Sequence, residues 1–198
     1  MKTSTKWGNN FSDVCGKTDK IVKNVDNRRV QLTKKMLKDA LVKLLCTKPM
    51  NKISITEICE TADVNRTTFY KHYSDEHSLF LEIEKDYYDM INYEMKYSST
   101  TLLAMLNFFK NNSVFSRVLF ANNKSQGLAQ KIFSIPQIQK AIVDRINIDF
   151  PHEKMQKLLY FIFSGSYALV VEWIRSDFIM PTEELEAMLN EFIRFYSR

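Results

Sequence analysis

Residues Lys52–Phe80 read KISITEICETADVNRTTFYKHYSDEHSLF, and this stretch decides the fold. Ser54 and Glu57 stand at the spacing of a reciprocal capping box, with Ile53 and Ile58 at the two staple positions around it. A helix is therefore expected from Ser54 to about Ala62. Three residues later Asn65 is a good N-cap, with Val64 and Phe69 at its staple positions. A second short helix is expected over Asn65–Tyr73. Only the turn around Asp63-Val64 separates the two. Asp75 caps a third start, and its helix carries the stripe Leu79, Ile83, Tyr87, Met90, Ile91 and Glu94 until Ser98-Ser99-Thr100 interrupts it.

Upstream, Leu37, Leu41, Leu44 and Leu45 recur at helical spacing, which predicts a helix from Gln31 to Thr47 closed by Lys48-Pro49. A longer helix followed by two short ones across a tight turn makes a helix-turn-helix. Downstream, helices are expected over Leu102–Lys110, Val114–Phe120, Leu128–Phe133, Pro136–Ile146 and His152–Arg175, with a loop at Asn122–Ser125. Pro181-Thr182-Glu183-Glu184 opens a last helix with the stripe Leu185, Met188, Leu189, Phe192, Ile193 and Tyr196. Four Gly and four Pro occur in 198 residues, and the prolines fall between periodic stretches. The fold class is all-α. The expected organisation is a flexible basic arm over residues 1–27, a three-helix DNA-binding domain over 28–80, and a helical regulatory and dimerisation domain over 81–198. The boundary falls within a shared long helix.

Charge is divided the same way. Residues 1–80 hold 15 Lys and Arg against 9 Asp and Glu, whereas residues 81–198 hold 13 against 14. A basic first segment on a neutral remainder points to a polyanion partner for the first part. Three Cys without a C-x-x-C pair fit free thiols in a reducing, cytoplasmic compartment, and no secretory leader is expected. Leu158–Ile174 lacks Lys and Arg, but it is short for a span and contains Glu172 and Ser164-Gly165-Ser166. Burial between protein surfaces is the expectation there, and no membrane partner.

In NRTTFYKHY (Asn65–Tyr73), Phe69 and Tyr73 share one helix face with Val64. Arg66, Thr67, Tyr70 and Lys71 spread over the others. Guanidinium, hydroxyl, ammonium and phenol groups are donors for phosphates and base edges, and the helix start adds N–H groups suited to phosphate. His72 and His77 are five residues apart, which aligns two metal ligands poorly on one helix. No G-x-S-x-G, P-loop or G-x-G-x-x-G occurs. Neither an enzyme, a metal site nor a cofactor is expected.

Residues 33–80, and Lys52–Phe80 above all, resemble the N-terminal domain of TetR-family bacterial regulators. That family has an apolar-polar helix 2, a small residue plus Val at the turn, and a T-F-Y-x-H-aromatic recognition helix. The resemblance implies that Arg66, Thr67, Thr68, Tyr70, Lys71 and His72 face double-stranded DNA at a pseudo-palindromic operator. It implies that Thr56 touches the backbone or a base edge. One position departs from the pattern. The family's phosphate-contacting Lys just inside the next helix is here Glu76, followed by His77. Either that contact is missing, or Lys71 and a Lys of the first helix replace it.

The resemblance also implies a homodimer built on the last two long helices. His152–Arg175 is apolar on two sides and therefore needs two burial partners, while Ser164-Gly165-Ser166 permits close approach. Interface candidates are Gly165, Ala168, Leu169, Leu185, Met188 and Phe192. Family members often bind a small effector in this domain. Phe108, Phe115, Phe120, Phe133, Tyr160, Phe163 and Tyr167 are candidates to line an apolar pocket for an aromatic or apolar effector. They serve equally well as plain core, and the sequence leaves both readings open. EWIRSDFIMPTEEL (Glu172–Leu185) resembles the family branch of dihydroxyacetone-kinase gene activators, where a protein partner can replace a free ligand. Repressor and activator are both carried forward.

Overall fold

The computed structural model describes residues 21–98, 101–121, 126–146 and 151–195. The regular elements among them are all helical. Nothing between Ile21 and Leu45 is Gly or Pro, so a helix once nucleated propagates through that stretch. Helix α1 accordingly runs Ile21–Leu45, starting earlier than its apolar stripe indicated and taking in the end of the expected arm. The rest of that arm, residues 1–20, lies outside the described residues. The chain divides into two compact units, residues 1–35 and 36–198. The described part of the first is the helical stretch from Ile21.

In the second unit, α1 buries Leu37, Ala40, Leu41, Val42 and Leu45. A single 3-10 turn at Met50–Lys52 follows and buries Met50. Then come α2 (Ile55–Ala62), α3 (Arg66–Tyr70) and α4 (Glu76–Tyr97). Beyond them lie α5 (Thr101–Asn111), α6 (Ser113–Ala121), α7 (Gln126–Phe133), α8 (Pro136–Val143), α9 (His152–Arg175) and α10 (Thr182–Phe195). The loop expected at Asn122–Ser125 lies outside the described residues.

Helix α4 organises this unit. Its buried row is Leu79, Ile83, Tyr87, Ile91 and Met95, each four residues from the last. Such a row winds slowly around the helix axis, so different neighbours meet it along its length. Its outer half packs on α5, α7 and α8. The expected stripe erred at its end. Glu94 is exposed and Met95 is buried, because the row keeps its four-residue step from Ile91. Tyr87 is buried in an aromatic cluster, its ring 5.2 Å from Phe108 with further contacts to Phe109 and Phe120. The phenol needs a partner in that setting. It donates to Ser116 Oγ at 2.7 Å, and Ser116 donates onward to the Phe109 carbonyl at 2.8 Å.

Helix α9 packs on α6 and buries Ile162, Val170, Val171, Trp173 and Ile174. By length and composition it could cross a membrane, but these residues bury one side of it within the protein. It closes at Asp177 and Phe178, both left-handed. That reversal turns the Phe178 ring edge-on to Trp173 at 4.8 Å, and the Trp173 indole N–H donates to the Met180 carbonyl.

Met95→Ala is expected to cost about 2–5 kcal/mol, because a fully buried Met is lost. Glu94→Ala should stay within about 0.5 kcal/mol, as for other exposed sites. Urea denaturation of the two variants checks the register of α4.

Candidate nucleic-acid interface

The site begins with two helix caps. Ser54 Oγ accepts from the Glu57 N–H, and the Glu57 carboxylate accepts the Ser54 N–H at 3.0 Å, completing the predicted capping box. The staple residues Ile53 and Ile58 are both buried. Lys48 pairs with the same carboxylate. Helix α2 ends at Asp63, in the left-handed conformation at φ 53°, and the Val64 N–H closes back on the Cys59 carbonyl at 2.9 Å. That reversal brings Asn65 into position, and its Oδ1 accepts the Thr67 N–H at 2.8 Å.

Helix α3 is shorter than expected. It spans Arg66–Tyr70, and Lys71–Tyr73 continue as a turn in which the Tyr73 N–H still reaches the Phe69 carbonyl. Such a short helix has little dipole, and one N–H at its start is taken by Asn65, so an end-of-helix phosphate site is not what distinguishes it. Its side chains are. Phe69 is completely buried and Tyr73 nearly so, and both anchor the turn. Arg66, Thr67, Tyr70 and Lys71 are exposed, Tyr70 by 56%. Thr68 and His72 are half-buried, with the His72 ring against Tyr73. Thr56, in the first turn of α2, is also half-buried.

Behind this surface, Lys38 of α1 is clamped by α4. Its Nζ lies 2.8 Å from Glu82 Oε1 and 2.5 Å from Asp86 Oδ2. Burial alone would lower its pKa, but the hydrogen bonds and charges of Asp86 and Glu82 outweigh that and raise it. Burial together with Glu82 and Asp86 also raises the Tyr73 phenol. The carboxylates that hold Lys38 thus also bear on the anchor of α3. Sequence reading missed this clamp. The signal was the i, i+4 pair Glu82 and Asp86 on α4, one of whose faces was read only as exposed.

Glu76, where the family pattern has Lys, stands at the first position of α4 behind the capping box of Asp75 and Ser78. A carboxylate suits that helix end. Of the lysines nearby, Lys38 and Lys48 are committed to carboxylates, whereas Lys71 is exposed beside α3.

The remaining candidates scatter. Phe108 and Phe120 pack around Tyr87, and Phe115 packs against the core. Phe133 and Phe163 pack on each other, with Tyr167 beside Phe133. Tyr160 is 73% exposed and lines no enclosed pocket. Gly165, Ala168 and Phe192 are exposed, while Met188 and Leu169 are half-buried. Leu185 is only 2% exposed, so it belongs to the core of its own chain and offers no surface to a second copy.

Residues 97–195, half of the chain, match the TetR-type family described as a transcriptional regulator C-terminal region. The chain is 28% identical over 97 residues to the HTH-type dhaKLM operon transcriptional activator DhaS of Lactococcus lactis. That match takes in 48% of this chain and 52% of the relative, so it spans about half the length of each. A TetR transcriptional regulator from Streptococcus agalactiae shares the fold at a TM-score of 0.72 and 20% identity, over 86% of this chain and 98% of that one. The dihydroxyacetone kinase operon activator DhaS superposes at 0.53 and 20% identity, over 83% and 93%.

The hydrogen bond from Lys48, then those from the Ser54 N–H and hydroxyl, hold the Glu57 carboxyl down from 4.5 to about 2. A depressed carboxylate stabilises the fold above its unfolded value, and that contribution is lost as pH falls from 4.5 through about 2. Lys48→Met should move the Glu57 titration upward, as read by carboxyl chemical shifts in an acid series.

Proposed function

The chain belongs to the TetR family of transcriptional regulators, and from that premise we propose that it is a dimeric repressor whose α3 reads double-stranded operator DNA and which a small effector releases. Family and fold are those of a non-enzymatic regulator. The observation that carries the DNA reading is the two-sided α3. Phe69 and Tyr73 are buried, and the donors Arg66, Thr67, Tyr70 and Lys71 stand outside. Thr68, His72 and Thr56 flank that surface and complete the proposed contact set. Residues 28–80 are the proposed reading head, and residues 81–198 the regulatory and dimerisation part.

Gly165 supports the dimer. A Cβ built there would meet nothing within 4 Å in its own chain, so internal packing does not require its smallness. Phe161, Gly165 and Ala168 lie on one exposed face of α9, and Phe192 and Phe195 are exposed on α10. A second copy would cover these faces and set two reading helices over two half-sites. Ligand binding would then alter the separation of the heads and weaken DNA affinity. A second reading, an activator controlled by a protein partner, is favoured by the similarity to the DhaS activator.

Selection from random duplexes at moderate salt should enrich one pseudo-palindromic sequence, and no enrichment would refute the DNA reading. Arg66→Ala or Lys71→Ala should weaken binding. A lost base contact should cost about 1–3 kcal/mol and relax specificity locally, whereas a lost phosphate contact should flatten the salt slope.

Gly165→Leu should leave the fold intact and stiffen α9, since Gly weakens a helix by about 1 kcal/mol. It should nevertheless push light scattering toward the monomer. An unchanged dimer would place the interface elsewhere.

A further inference from the structure

A cleft opens where α5, α8, α9 and α10 converge. Its walls include Leu102, Met105, Val170 and Leu189, with Ser166 and Arg145 as the polar members. Arg145 is the one cation in that lining. Its Nε donates to Asn190 Oδ1 at 2.7 Å and its Nη1 to the Ala141 carbonyl, both neutral oxygens. The side chain is thereby held in place by α10 on one side and α8 on the other.

We propose that this cleft binds a small monocarboxylate with an apolar tail, and that Arg145 takes the carboxylate. The identification as a regulatory ligand rests on the DNA-regulator reading above. An apolar lining selects the tail. A guanidinium at its edge is a planar fork matched to a carboxylate, and its attraction for an anion is stronger beside apolar walls than in water. One cation suits one negative charge, which disfavours phosphate esters and dicarboxylates.

The free space is about 20 Å³, room for little more than a water. A tail therefore enters by displacing side chains, and Met105, unbranched and adaptable, is the one most suited to yield. Helices α5 and α8 also pack on α4, the helix whose Glu82 and Asp86 hold Lys38. Wedging the cleft apart would press on the element that carries the reading helix.

Full-length protein is titrated calorimetrically with sodium hexanoate and sodium benzoate, and with hexanamide and benzamide as neutral matches. The acids should bind about tenfold or more tighter than the amides, the factor expected for a charge-assisted hydrogen bond. Arg145→Gln should erase that preference. Ala141→Trp, which fills the cleft, should remove binding of both classes. Acids that do not bind, acids no better than their amides, or a preference that survives Arg145→Gln would overturn the proposal. The wild-type acid-to-amide comparison decides it even if a variant fails to fold. Duplex selection on the same protein keeps the two readings apart. An enriched operator with no acid binding would sink the cleft ligand alone, whereas acid binding without any enriched duplex would sink the regulator reading.

Discussion

A single charged clamp joins the DNA-reading elements to the helix that serves the rest of residues 36–198. Lys38 of α1 sits between Glu82 and Asp86 of α4, and those carboxylates also bear on Tyr73, the anchor at the end of α3. Half-buried ion pairs add little net stability, because desolvation offsets much of the attraction. Their value here is geometric. An unpaired Lys38 or Glu82 at this depth would be costly, so α1, α4 and the turn after α3 keep one mutual arrangement. The apolar row from Leu79 to Met95 then extends that arrangement to α5, α7 and α8.

The same economy explains the short reading helix. Isolated helices of a few residues do not form in water. Helix α3 persists because Asn65 caps its start, Asp63 reverses the chain before it, and Phe69 is buried beneath it. With its inner face fully occupied by packing, its outer face is free to carry polar donors without cost to the fold. Glu76 follows a similar logic. It trades a phosphate contact for a favourable place at the N-terminal end of α4.

The aromatic residues of the second half show how packing resolves what composition leaves open. Phe108, Phe120 and Phe133 were equally good as pocket lining or as core. Most of them surround the Tyr87–Ser116 hydrogen bond or pack on α9. The cleft with a cation at its edge lies elsewhere, and of the aromatic candidates only Phe133 reaches it. Leu185 and Phe192 stand on the same helix seven residues apart, yet one is core and the other surface. A stripe wide enough to face two partners does not say which edge meets which.

What the sequence determined by itself was local. The caps at Ser54, Asn65 and Asp75, their staples and the turn between them are interactions among residues a few positions apart. Their spacing alone therefore located α2, α3 and α4 and the outward face of α3. The tertiary structure alone decided the early start of α1, the step from Ile91 to Met95, the capture of Lys38 by α4, and the placement of Arg145 beside an apolar cleft. The last two join residues more than forty positions apart, Lys38 with Asp86 and Arg145 with Asn190. No periodicity or motif encodes such meetings, because they depend on how whole helices pack. The stretch Lys52–Phe80 therefore named the fold, and the packing of α4 determined how its reading surface is held.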